Sequence, residues 1–267
     1  MNLSLALLFM TNAYSFTLVS GGPKFPTSEV IVDVSSNSCS NIGLSSEDLL
    51  QLAEEAADEY WNKVPTCALE LKRGSVKGVD VSSEDPGTQV GANALYSKAE
   101  NNHILIGCNS NATLFPANSS TLAVGTIYTA SAGIRGVVLI NNTTTTPFNR
   151  MDQREKWATL AHEIGHAFGL GHSSDPIALM YYATGAKIQE RLTIDDYDGC
   201  SYLYPHKSPG SCNSVAITSG SGQDQNRANH KVLSYLLGTI ITLSISKFWI
   251  KNRLGQSENL ISSYQIL

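Results

Sequence analysis

The stretch HEIGHAFGLGH, from His162 to His172, constrains this chain more than any other feature. Residues four apart on a helix share one face, one turn above the other, so His162 and His166 present two imidazoles to a single ion. Gly169 can take a backbone conformation with positive φ, ending the helix in a sharp turn that returns His172 from a loop as a third ligand. Three neutral nitrogen ligands leave the fourth tetrahedral position free for water, the arrangement of a catalytic Zn2+ site. Glu163 follows the first ligand directly and stands close to the open side of the metal, where a carboxylate serves as general base rather than as ligand. The short HExxH form recurs by chance in helices, whereas the longer HExxHxxGxxH form is specific.

The 267-residue chain has a formal net charge of -5 and no basic block, so no nucleic-acid partner is expected. No internal repeat divides it. The apolar run LSLALLFM at residues 3–10, followed by Ala13-Tyr14-Ser15, reads as a signal peptide over residues 1–15, although no Lys or Arg precedes the run. Glycosylation acceptor patterns begin at Asn111, Asn118, Asn141 and Asn142 and point to the same secretory route; adjacency allows at most one of the last two a glycan. The cysteines (Cys39, Cys67, Cys108, Cys200 and Cys212) show no CxxC pattern. In an oxidising compartment four of them can form two disulfides, and a Cys200–Cys212 pair would close the shortest loop.

Residues 213–231 are small and polar and read as a linker. Residues 232–250 approach the length of a membrane span, with a polar tail at 251–267. Lys251 and Arg253 place that tail in the cytoplasm in a single-pass arrangement, which is favoured. A GPI signal with its small-residue site at 219–222 is the second alternative, and a soluble tail the third. The folded domain is therefore expected over residues 16–212.

Within it, VIVDV at residues 30–34, residues 67–71, HILIGC at 103–108 and RGVVLINN at 135–142 read as strands. A helix capped by Ser45 or Ser46 carries Leu49, Leu50, Leu52, Ala53, Ala56, Tyr60 and Trp61 on its apolar side. Strand, helix, strand implies a crossover and a partly parallel sheet. Asp152-x-x-Glu155 forms a capping box for the histidine helix, whose apolar stripe is Trp157, Leu160, Ala161, Ile164 and Phe168. A last helix starts at Thr193, with Asp196 at its cap.

The stretch HEIGHAFGLGHSSDPIALMYY resembles the metzincin metalloproteases and, through Ser173 directly after the third histidine, the matrixins among them. RLTIDDYDGCSYLY at residues 191–204 is similar to the matrixin C-terminal helix. The resemblance covers roughly residues 26–205 and is specific over 162–204. It implies an α+β, zincin-like domain: a twisted mixed sheet of about five strands, three main helices and a small subdomain after Gly169. It implies a zinc endopeptidase that cuts extended polypeptides of extracellular proteins, secreted or at the cell surface and monomeric. Met180 corresponds to the methionine of the family's Met-turn, a hydrophobic floor under the metal. Tyr182, at a position where some other metzincins carry a zinc-facing tyrosine, is expected to line the substrate pocket, and Val137, Val138, Leu139 and Ile140 to form the edge strand that pairs with substrate. The alternatives are a metzincin of another family and a metal-bound surface module without turnover; the presence of Glu163 argues against the latter. No PRCGxPD cysteine switch and no hemopexin-like repeat stand in the sequence, and His103, His206 and His230 read as ordinary histidines. Calcium is not readable, since no compact acidic loop declares a Ca2+ site.

Overall fold

The computed structural model describes residues 15–37, 39–182 and 191–206. The signal-peptide run, Cys212, the linker, the apolar segment at 232–250 and the tail lie outside these residues. No helix among the described residues is long and apolar enough to cross a membrane.

Five strands form one sheet: β1 (Glu29–Ser35), β2 (Glu70–Lys77), β3 (His103–Asn109), β4 (Ala123–Ala130) and β5 (Gly133–Asn141), in the order β2-β1-β3-β5-β4. All neighbours are parallel except β4, which runs antiparallel to β5. The parallel pair β1–β2 is bridged by α1 (Ser46–Glu59), as the strand–helix–strand pattern requires. Ser45 caps α1 and forms a capping box with Asp48, a contact of about 1 kcal/mol. Its apolar side, Leu49, Leu50, Leu52, Ala53 and Ala56, is buried with Trp61.

The alternation of strand side chains sorts the core into two layers. Val30, Val32, Val34, Ile104, Ile106, Val138 and Ile140 face α1 and α3 (Gln153–Phe168). Leu105, Val137 and Leu139 face the other way, toward Leu95 of α2 (Gln89–Lys98) and Phe115. Trp61 joins the helices: its Nε1 donates to the Ala161 carbonyl at 2.8 Å, and its ring meets Phe168 edge-on. The last helix, α4 (Ile194–Leu203), ends against α3, where Tyr204 Oη donates to the Phe168 carbonyl at 2.9 Å.

Four expectations are corrected. Val137, Val138, Leu139 and Ile140 are not on an edge: β5 is hydrogen-bonded on both sides, and all four side chains are buried. On that side of the sheet the edge is β4, whose Thr- and Gly-bearing run carries no contiguous apolar signal. Cys200 pairs with Cys67, not with Cys212, and Cys39 pairs with Cys108. The second strand starts at Glu70 rather than 67, because Cys67 and Ala68 are engaged with the C-terminal end of the domain through the disulfide, a bridge to Pro205 and the bond from Ala68 N to the Tyr204 carbonyl. Finally, Asn141 and Asn142 are 1% and 5% exposed, which leaves no room for a glycan. Asn141 Nδ2 donates to the Thr121 carbonyl at 2.8 Å, and Asn142 Oδ1 accepts from Asn41 N at 3.0 Å.

Candidate metal centre

The capping box of Asp152 and Glu155 starts α3, and Gly169, at φ 120°, ends it. A side chain on Gly169 would stand 2.3 Å from the Pro23 carbonyl oxygen, so the turn needs glycine for space as well as for φ. The chain then reverses, held by Leu170 N to the Gly165 carbonyl and Gly171 N to the Thr17 carbonyl, and brings His172 over the helix. Thr17 Oγ1 donates to the His172 carbonyl at 2.7 Å.

The ligand-type atoms of His162, His166 and His172 all lie within 4.8 Å of one another. The Nε2 atoms of His166 and His172 are 3.2 Å apart. Two nitrogens on a tetrahedral zinc at ~2.05 Å each would stand about 3.3 Å apart, so the spacing fits that ion. The Nδ1 atoms of His162 and His166 are each 2.7 Å from a carbonyl oxygen, that of Leu179 and that of Leu170. Donation from Nδ1 fixes the tautomer and leaves Nε2 with the lone pair a metal needs. Burial, above all, pushes His162 and His166 down to about 4, and it also lowers His172. All three imidazoles are thus neutral at neutral pH and ready to ligate.

Glu163 is buried beside them. Burial raises its pKa; the neighbouring His166 and the backbone N–H of Gly125 act against that rise.

Under the ligands the chain makes a tight turn through Ala178, Leu179 and Met180, all buried. Met180 Sδ is packed so closely on α3 that a side chain on Gly165 would stand 2.4 Å from it. The turn hangs from Asp196 of α4, whose carboxylate accepts from Leu179 N at 2.9 Å, Met180 N at 3.0 Å and Thr193 N at 2.8 Å. Burial raises Asp196, and these donors oppose the rise. Asp196 thus reaches His162 through the Leu179 carbonyl, a link that its role as a helix cap did not reveal. Ser173 sits beneath the third ligand, its hydroxyl donating to Asp195 and its N–H to the Met180 carbonyl. Tyr182 is 66% exposed, with its ring edge-on to His172 at 6.4 Å between centroids. Val137, Val138, Leu139 and Ile140 lie inside the sheet, away from any open face of the site.

Three histidines on a helix and its return loop, set on a mixed sheet with one antiparallel edge, have the donor set and spacing of a zinc site. Residues 85–205 match the family model described as Matrixin, of peptidase family M10, so this region is similar to the matrixins. Among curated relatives, human matrilysin is 37% identical over 70 residues, 21% of this chain and 26% of that protein. Human neutrophil collagenase is 52% identical over 46 residues, 16% of this chain and 10% of the collagenase. The metalloendoproteinase 2-MMP of Arabidopsis thaliana is 52% identical over 44 residues, 16% of this chain and 12% of the relative. The matched stretch thus spans about a quarter of matrilysin and less of the other two.

Proposed function

We propose that this chain is a zinc-dependent endopeptidase of the secretory pathway that hydrolyses extended polypeptides. The observation that carries the proposal is a buried carboxylate, Glu163, beside three convergent neutral imidazoles. His162, His166 and His172 would hold the ion, which when bound supplies a Lewis acid that acidifies water to a pKa of about 7 and stabilises the developing oxyanion. Glu163 takes the proton of the attacking water on its carboxylate and passes it to the nitrogen of the leaving amine. Its raised pKa suits both halves of that transfer.

Substrate affinity comes from the outer edge of β4, which pairs with no other strand among the described residues and can accept an extended peptide as a sixth strand. Backbone pairing of this kind discriminates little among sequences. Selectivity falls to the pocket beside the ion, walled by the 178–182 turn, with Tyr182 at its rim. The two disulfides fit an oxidising compartment. Of the acceptor asparagines, Asn118 is exposed and suits a glycan, whereas Asn111 is half-buried and donates to the Ser83 carbonyl at 2.8 Å.

The test is Glu163→Ala. The expected outcome is loss of cleavage of a quenched fluorescent peptide, by about a thousandfold or more, with one zinc still bound. Cleavage at the parent rate by zinc-loaded Glu163→Ala would refute the mechanism.

A further inference from the structure

Eleven polar or charged side chains are buried among the described residues. Setting the base Glu163 aside, nine of the others are hydrogen-bonded, from Asp33 on β1 to Asp196 on α4. The tenth is Thr159, 6% exposed, whose hydroxyl makes no hydrogen bond among the described residues. A hydroxyl inside a helix often bonds back to the carbonyl one turn earlier, as Ser201 does to Tyr197 on α4. Thr159 does not use that escape. A polar group buried without a partner costs its full desolvation, so an unspent one marks a place where something outside the fold supplies the partner.

Helix geometry shows where that place is. At about 100° per residue, side chain 159 leaves α3 between the directions of Glu163 and His166, one turn toward the helix N-terminus. The other directions are taken: Leu160, Ile164 and Phe168 enter the core, and Ala161 lies against Trp61. Thr159 therefore stands on the ligand face of α3, one turn below the base.

We infer that Thr159 is a specificity-determining residue: its hydroxyl closes the far end of the pocket beside the ion and selects a substrate side chain tipped by a neutral hydrogen-bonding group, such as the carboxamide of glutamine, next to the scissile bond. The inference rests on the endopeptidase reading above and adds to it the class of side chain preferred. A hydroxyl both donates and accepts, as a carboxamide does, and it carries no charge to offset the desolvation of an ionic tip. An aliphatic tip in the same space would leave the hydroxyl unpaired.

The test uses quenched fluorescent peptides that differ only in Gln against Met, two side chains of similar length, placed in turn on each side of the scissile bond. Thr159→Val, which keeps the branched shape and removes the hydroxyl, should lower the Gln:Met ratio of kcat/KM about tenfold at one of the two positions, the worth of one neutral hydrogen bond. Thr159→Ser should keep the parent ratio within about twofold. The melting temperature of Thr159→Val should stand at or above the parent value, because the fold loses no bond. Affinities of the same peptides for zinc-loaded Glu163→Ala, with and without Thr159→Val, should show the same shift and read the contact without turnover. An unshifted ratio at both positions, an equal shift in Thr159→Ser, or a lowered melting temperature in Thr159→Val would each overturn the assignment. Peptides bound with the shifted ratio but never cut would sink the endopeptidase reading and leave the Thr159 contact standing. Peptides neither bound nor cut would overturn both.

Discussion

Among the described residues two places gather three ligand-type side chains within 4.8 Å: His162, His166 and His172 above the helix, and Asp33, Glu100 and His103 on the opposite side of the sheet. By proximity alone they are equals. What separates them is which positive charge each already holds. In the second cluster His103 Nδ1 stands 2.5 Å from Asp33 Oδ2, and the Lys77 ammonium lies 2.8 Å from Glu100 and 3.5 Å from Asp33. Ser75 N donates to the other Asp33 oxygen at 2.8 Å. The carboxylates there are engaged by a cation of the chain itself, whose pKa is raised first by the bond to Glu100. In the histidine centre burial strips the protons from the ligands, and their Nδ1 atoms are tied to carbonyls, so that what remains is lone pairs pointing at one another. A metal centre is defined by unspent donor capacity as much as by distance.

The widest separation between the two clusters should come from deleting a histidine in each. His166→Ala or His172→Ala should abolish retention of zinc on dialysis and lower peptide cleavage by about a thousandfold or more. His103→Ala should leave the zinc equivalent and the cleavage rate within about twofold. Loss of zinc from His103→Ala would mean that the distinction drawn above is wrong.

Next in size is Asp196→Asn. It weakens the anchor of the Leu179–Met180 turn and so the orientation of His162. Such outer partners typically control metal affinity by about 10- to 100-fold, and a competing-chelator titration would measure it. Unchanged affinity would show that the turn holds without α4.

A smaller effect is expected with pH. His162 and His166 sit at about 4 in the fold against an ordinary 6.5. Above the ordinary value both are neutral folded or unfolded, and their titration contributes nothing. As pH falls from 6.5 toward 4, the unfolded chain binds protons that the folded chain refuses, and stability drops. The loss is on the order of 3 kcal/mol for an isolated group and less for each of two neighbours. The raised Glu163 and Asp196 offset part of it, because the folded chain takes up their protons first. Urea unfolding of chelator-treated protein across this window should show midpoints falling with pH; a flat profile would contradict the buried, neutral state of the pair.

The smallest effect on activity, and the most pointed test, is Lys77→Met. Removing the resident ammonium should give the Asp33 cluster weak affinity for a second zinc, visible by equilibrium dialysis, with cleavage unchanged. If no second equivalent binds, the ammonium is not what excludes a metal there.

The histidine centre was open to the sequence because its information is local: ligand spacing, the Gly169 turn and two capping boxes all act within a few residues of one another. The helices at Ser46–Glu59 and Ile194–Leu203 could be placed for the same reason. What escaped was relational. AVGTIYTA at Ala123–Ala130 reads as an unremarkable polar run, and only the strand order makes it the edge. QVGANALYSK hides a helix behind Gly91, Asn93 and Ser97, which are poor helix formers. Disulfide partners far apart in the chain leave no trace in spacing, so the short loop from Cys200 to Cys212 was a poor guide. The role of Asp196 was concealed by its being a sound cap residue: one carboxylate serves both the helix and the turn.

The two disulfides have one more consequence if, as proposed, the molecule cuts polypeptide chains. Cys39–Cys108 and Cys67–Cys200 span 69 and 133 residues, and their spans overlap. Any single cleavage between residues 39 and 200 therefore leaves its two fragments covalently joined. Self-digestion in that region would appear on a gel only after reduction, and a nicked molecule could keep its histidines together long after its backbone had ceased to be continuous.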